Sequence, residues 1–324
     1  MVAMVATVAT VATVAVVIVT YRSAQDLGPC LASLIGDPCI GSVVVVDSGS
    51  PDTGALRPVV GAHASSLPVS LVELGTNVGF GAACNRGAAL TGEPVLVFLN
   101  PDTELGVGCV SALTAVLSGD GYQASGGPRF GVAGPTVRSP DGSVYPSARS
   151  FPSLLRSAAH GFLGVLAPGN RFSQGYLHPP SGPDWVSGTA MAVRRDAFEQ
   201  VGGFDEGYFM YVEDVDLCWR LAREGWSVTL VNDATVVHRI GGSSRHRPFS
   251  MIVAHHRSLW RFAVRSSSGA ARLALPAVAL GLLSRALMLV CLQLAHARPP
   301  AALHHARPSG TDAAAMGTVT GNGK

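Results

Sequence analysis

The chain has 324 residues, 48% of them hydrophobic and only 14% charged, a balance that supports one large domain or two modest ones and excludes global disorder. Its formal charge of +2 hides an asymmetry: positions 1–238 carry 12 Arg against 20 Asp and Glu, whereas positions 239–310 carry 10 Arg and no acid. The basic part suits an anionic partner such as a membrane surface, a polyphosphate or a nucleic acid, with a solubilising charge bias as the bland alternative.

Residues 1–13 repeat Val-Ala-Thr and carry no charge. Without the positive n-region of a secretory signal, they read as a low-complexity extension ahead of the first strand. Apolar, β-branched runs then predict strands at Val14–Thr20, Ser42–Asp47, Val69–Leu74 and Pro94–Asn100. Between them, Ala24–Ile35, Thr53–Ala62 and Gly79–Leu90 place apolar residues three and four apart, as helices do. Continuously apolar strands alternating with helices predict a doubly wound α/β domain with a mostly parallel sheet. Ligands of such sheets bind beyond the carboxyl ends of the strands. Those ends read Thr20-Tyr21-Arg22, Asp47-Ser48-Gly49, Asn77-Val78-Gly79 and Asn100-Pro101-Asp102.

A Gly/Pro/Ser-rich stretch follows from Gly119 to Pro183, with a hairpin expected at Val132–Val137 and a turn at Pro140-Asp141-Gly142. Six cysteines without C-x-x-C spacing indicate neither a zinc site nor a redox pair, and they suit a reduced, cytoplasmic compartment.

Three constellations carry possible chemistry. Asp102 closes a very apolar strand, where a hard oxygen donor suits Mg²⁺ or Mn²⁺; Asn-Pro-Asp-Thr is equally good turn chemistry. Glu213-Asp214-Val215-Asp216 opens a helical pattern ended by Gly225. Acids there complement a helix dipole, and crowded, buried carboxylates also make general bases. The preceding aromatics, Phe204, Tyr208, Phe209 and Tyr211, serve either as core or as walls for a sugar. His238 ends a strand-like run, and a lone histidine is usually not a ligand. Gly79-Phe80-Gly81 starts like a dinucleotide fingerprint, but Cys84 stands where the third glycine belongs, which disfavours a dehydrogenase.

Taken together, VVIVTYRSAQDLGPCLASL, VVVVDSGSPD, NVGFGAACNRGAAL, VLVFLNPDTEL and WVSGTAMAVRRDAFEQVGGFDEGYFMYVEDVDLCWRLAREGW resemble glycosyltransferase family 2 with its GT-A fold, over about Val16 to His238. Within the family the chain most resembles rhamnosyltransferases acting on N-acetylglucosaminyl-diphosphoryl-polyprenol. The resemblance implies an inverting transfer, with dTDP-rhamnose as donor and a polyprenyl-diphosphate-linked sugar as acceptor. It implies that Thr20, Tyr21, Arg22, Asp47, Ser48 and Gly49 surround the nucleotide, and that Asn77, Gly79, Asn85 and Arg86 meet the diphosphate or donor sugar. Asn100-Pro101-Asp102 would stand for the family's D-x-D motif, with Asp102 and His238 holding a divalent metal. Trp185, Gly188 and Thr189 would border the acceptor, with Asp214 the catalytic base and Glu213 its helper. Asn100 replaces the motif's first aspartate, which leaves open a nucleotide-sugar-binding protein that has lost catalysis, or a family member with another donor.

The resulting organisation is an extension at 1–13, a GT-A domain at 14–240, a basic and apolar helical region at 241–297 and a disordered tail at 298–324. The apolar segment Leu273–Ala295 contains Pro276 and Arg285. A central Arg is costly in a full span, so an interfacial helix on the cytoplasmic face of the membrane is expected, with His255, His256, Arg257, Arg261 and Arg265 meeting anionic lipid or an acceptor pyrophosphate. No nucleic-acid-binding module is recognisable.

Overall fold

The computed structural model describes residues 13–118, 127–151, 182–239 and 248–296. Most of the N-terminal extension, the 298–324 tail and much of the Gly119–Pro183 stretch therefore lie outside the described residues.

The predicted first half forms as expected. Strands β1 (Val14–Thr20), β2 (Ile40–Asp47), β3 (Val69–Glu73) and β4 (Val95–Leu99) alternate with α1 (Ala24–Leu34), α2 (Leu56–His63) and α3 (Phe80–Ala88). Every residue of β1 and β4 is buried, which explains why neither shows a polar face in its sequence. Next come β5 (Thr103–Leu105), α4 (Cys109–Leu117), β6 (Phe130–Arg138), β7 (Val144–Tyr145), β8 (Ala148–Arg149), β9 (Trp185–Val186) and β10 (Ala190–Arg194). The chain continues through α5 (Arg195–Gln200), α6 (Glu213–Arg223), β11 (Ser227–His238), α7 (Pro248–Ser266) and α8 (Leu275–His296).

The main sheet runs β3-β2-β1-β4-β10-β6-β11-β5, with β7 beside β6. It is parallel from β3 to β4, and β6 pairs parallel with β11. β10 runs antiparallel to both β4 and β6, and β5 antiparallel to β11. The sheet is therefore mixed: one reversed strand, β10, joins two parallel halves. One core packs Val16, Ile18, Val45 and Val97 against α1, α2 and α4. On the other face Val17, Val46, Phe98 and Met191 meet α3, α5, α6 and Phe262 of α7.

This topology sets the site. Because β10 is antiparallel to its two neighbours, β4 and β6 point the same way, and β11 follows β6. The carboxyl ends of β1, β2, β4 and β11 and the start of β10 thus share one edge of the sheet.

Candidate active site

At that edge the backbone of Thr20 pairs with Asp47, and the Thr20 carbonyl accepts the Ser48 N–H at 2.9 Å. Buried Asp47 accepts hydrogen bonds from Ser50 N at 3.1 Å and Ser50 Oγ at 2.5 Å, and Ser50 Oγ also accepts Arg22 N–H at 2.8 Å. Ser50, absent from the sequence-based set, ties the first two strand ends together. The Thr20 hydroxyl is buried with no partner among the described residues. Arg22 has φ 56° and its guanidinium lies 5.4 Å from the Tyr21 ring centre.

Asn77 Oδ1 accepts from Ser48 Oγ at 3.3 Å and Gly79 N at 3.0 Å, so it clamps the turn that opens α3. Gly79 has φ +90°, and a Cβ there would sit 2.2 Å from the Phe209 carbonyl oxygen, which accepts the Phe80 N–H. Gly49 is equally constrained, with φ +72° and space for no Cβ against Thr76. Asn85 faces the same loop as Phe209: its amide donates to Phe204 O and accepts from Phe204 N, both at 2.9 Å. Arg86 forms an exposed ion pair with Glu206 at 3.4 Å. The structure thus engages Asn77 and Asn85 in holding loops, and leaves Arg86 on the surface.

Two carboxylate centres stand on the edge. The first arises from the antiparallel register of β11 on β5, which sets His238 opposite Thr103. It brings His238 Nε2 within 3.1 Å of Asp102 Oδ1 across 136 positions of sequence. Both side chains are mostly buried, and His238 Nδ1 has no partner among the described residues. An imidazole and a carboxylate at one spot fit a divalent cation that keeps further coordination for phosphate oxygens and water. No third His, Cys, Asp or Glu joins them in a metal-binding group among the described residues.

The second centre is Glu213-Asp214 at the start of α6. Tyr211 and Val212 immediately before it hold φ 67° and 70°, left-handed values that non-glycine residues rarely adopt. Backbone strain of this kind concentrates at functional sites. Burial raises the pKa of both carboxyls, and the neighbouring Asp214 adds to the rise at Glu213, which is pushed up to about 8. The pair is unequal, however. Asp214 accepts the N–H of Gly188 at 2.9 Å and of Val215 at 2.8 Å, and it feels the Arg149 charge. Glu213 Oε2 has no partner among the described residues. Asp214 is thus the favoured carboxylate and Glu213 the favoured carboxylic acid.

A continuous track joins the two centres. Asn100 N donates to Thr189 O at 2.9 Å, and the next residue, Gly188, donates to Asp214. Gly188 is also held close to Phe80 and Asp214. Trp185, expected at the acceptor, is buried and donates its Nε1–H to Ser150 O at 2.9 Å.

Residues 15–202 match the glycosyl transferase family 2 model, and residues 174–241 match the model described as the N-terminal domain of galactosyltransferase. The chain belongs to glycosyl transferase family 2. It is 40% identical over 268 residues to the N-acetylglucosaminyl-diphospho-decaprenol L-rhamnosyltransferase of Mycobacterium tuberculosis, covering 78% of this chain and 84% of that protein. The Escherichia coli rhamnosyltransferase WbbL is 32% identical over 119 residues, 37% of this chain and 44% of that one. Among solved structures, the mannosyltransferase PcManGT of Pyrobaculum calidifontis, in complex with GDP-Man and Mn²⁺, superposes with TM-score 0.55 at 19% identity, over 90% of this chain and 77% of that chain. At that identity the likeness shows the fold, which is GT-A.

Proposed function

We propose that the chain transfers L-rhamnose from dTDP-rhamnose to an N-acetylglucosaminyl-diphosphoryl-polyprenol at the cytoplasmic face of the membrane, inverting the anomeric centre. The observation that supports this reading is the Asn100–Thr189–Gly188–Asp214 track, which runs along a single edge from the strand end that carries Asp102, paired with His238, to Asp214. The name of the mycobacterial relative supports the acceptor and the sugar.

Thr20, Tyr21, Arg22 and the Asp47–Gly49 turn border the nucleotide, and the opening of α3 at Gly79 lies next to the donor sugar. Asp102 and His238 would hold a Mg²⁺ or Mn²⁺ ion. Such an ion neutralises the charge that develops on the departing diphosphate. Asp214 takes the proton of the attacking acceptor hydroxyl. The Gly188 N–H orients that carboxylate, and protonated Glu213 keeps a second negative charge away from it. One displacement on an oxocarbenium-like carbon inverts its configuration.

The α8 helix supports the membrane assignment. Gly269–Leu294 is long and apolar enough to cross a membrane by length and composition, and none of it is fully buried in the protein. Pro276 occupies the first turn of α8, where a missing N–H costs nothing, so it does not break the helix. With Arg285 near its middle, we place the helix in the headgroup interface.

A panel of dTDP-, UDP- and GDP-sugars with a polyprenyl-diphosphate-linked N-acetylglucosamine tests the reading. It predicts transfer of rhamnose from dTDP-rhamnose with inverted configuration. Transfer from another donor only, or donor binding without any transfer, contradicts it.

A further inference from the structure

The α7–α8 pair holds a cation that the catalytic edge leaves unused. Arg285 of α8 is half-buried toward α7, where its Nη1 donates to His256 Nε2 at 3.4 Å. His256 Nδ1 lies 2.7 Å from the Ile252 carbonyl, so the neutral ring keeps its proton there and offers Nε2 as an acceptor. The Arg285 Nε is buried and has no partner among the described residues. Residues 248–296 contain no Asp or Glu. A guanidinium does not shed its charge, so its partial burial beside an uncharged histidine favours an anion from outside.

Its neighbours point the same way. The His255 and His256 rings lie 5.7 Å apart, and the His255 ring meets Tyr211 edge-on at 5.2 Å. Tyr211 stands two residues before Glu213. On the solvent side of α8, Leu280, Leu283, Leu287 and Leu294 are exposed. From α8 inward there follow exposed leucines, then Arg285 with its unpartnered Nε, then the His256–His255 pair and Tyr211, two residues before the carboxyl pair. A lipid-linked sugar presents a hydrocarbon chain, a diphosphate and a hydroxyl in that order.

We infer that Arg285, flanked by His256 and His255, binds the diphosphate of the lipid-linked acceptor, with the isoprenoid chain along α8 and the sugar hydroxyl toward Asp214. The assignment rests on the acceptor class proposed above. A charge-assisted hydrogen bond of this kind contributes about 1.5–3 kcal/mol, or roughly 10- to 100-fold in affinity.

Titration calorimetry of the full chain with farnesyl-diphosphoryl-N-acetylglucosamine, with farnesyl N-acetylglucosaminide lacking the diphosphate, and with phosphatidylglycerol vesicles tests it. The wild type should prefer the diphosphate ligand, and inorganic diphosphate should compete with it. Arg285→Gln should weaken the diphosphate ligand about 10- to 100-fold, leaving the neutral ligand, the vesicles and nucleotide-sugar binding unchanged. Arg285→Lys, which keeps the charge on the same helix, should fall between. A wild type that binds neither farnesyl ligand overturns the acceptor class as well. A preference for diphosphate that persists in both variants overturns only the Arg285 assignment. Weaker vesicle binding with unchanged diphosphate binding assigns Arg285 to lipid headgroups and also overturns it.

Discussion

Glu213 and Asp214 are neighbours with the same chemistry and different surroundings. Two backbone N–H groups favour charge on Asp214, while burial and its charged neighbour keep the proton on Glu213. The folded pKa of Glu213, about 8, exceeds its ordinary value of 4.5, so the folded chain retains a proton that the unfolded chain releases. Stability must then fall as pH rises through that window. Glu213→Gln should flatten the fall, and melting curves from pH 5 to 8.5 read it directly; equal slopes in both proteins would mean that Glu213 is not buried as an acid. Asp214 is also raised, so the acid limb of transfer should lie above the ordinary aspartate value of 3.8, and the pH profile of kcat locates it. The string Glu-Asp-Val-Asp allowed a crowded general base and a helix start equally well, and the unequal hydrogen bonding that separates the two acids was not legible in it. Asp216, the third acid, turned out to be structural, fully buried and paired with Arg220 at 2.7 Å.

At the scale of elements, β1 to β4 were legible because continuous β-branched runs have few other uses. β5 was not, having three residues, nor was the reversed strand β10, whose short Ala-Met-Ala-Val-Arg run carries no alternation. The Asp102–His238 meeting depends on the register of these late strands, so sequence spacing could not show it. Loops interlock in the same way. Gly79 admits no side chain against Phe209, and Gly79→Ala should cost about 1–3 kcal/mol from its left-handed backbone, with more from the clash; denaturant unfolding measures it. Helix α7 holds the opposite side of that loop through Ser258 Oγ on Met210 O at 2.8 Å and Arg261 on Asp205 at 2.9 Å. It couples the helix pair to the backbone that presents Asp214. For α8, the cysteines supply a test. Five are buried and Cys291 is exposed, so native thiol labelling should find one reactive group. Anionic vesicles should protect it if α8 enters the interface, and unchanged labelling with vesicles bound would move the membrane contact elsewhere.

Over the whole molecule, an acidic catalytic body and a basic, apolar C-terminal pair are arranged around one sheet edge. The charge asymmetry was visible in composition alone, and the topology sets the cationic helices beside the loop that ends at the carboxyl pair, where the proposed lipid-linked anion would arrive. The fold's reversed strand matters here, because β10 begins at the edge and the turn that leads into it sets Gly188 and Thr189 between the two centres. The account depends on those centres doing separate work in a shared cleft. Donor binding and transfer measured side by side on Asp214→Asn and Asp102→Asn, with dTDP-rhamnose and Mn²⁺, test this most directly. Asp214→Asn should bind donor with wild-type affinity and lose about 10²- to 10⁴-fold in transfer, while Asp102→Asn should lose the metal-dependent part of donor binding itself. Loss of donor binding in Asp214→Asn, or transfer that survives in it, would contradict the account.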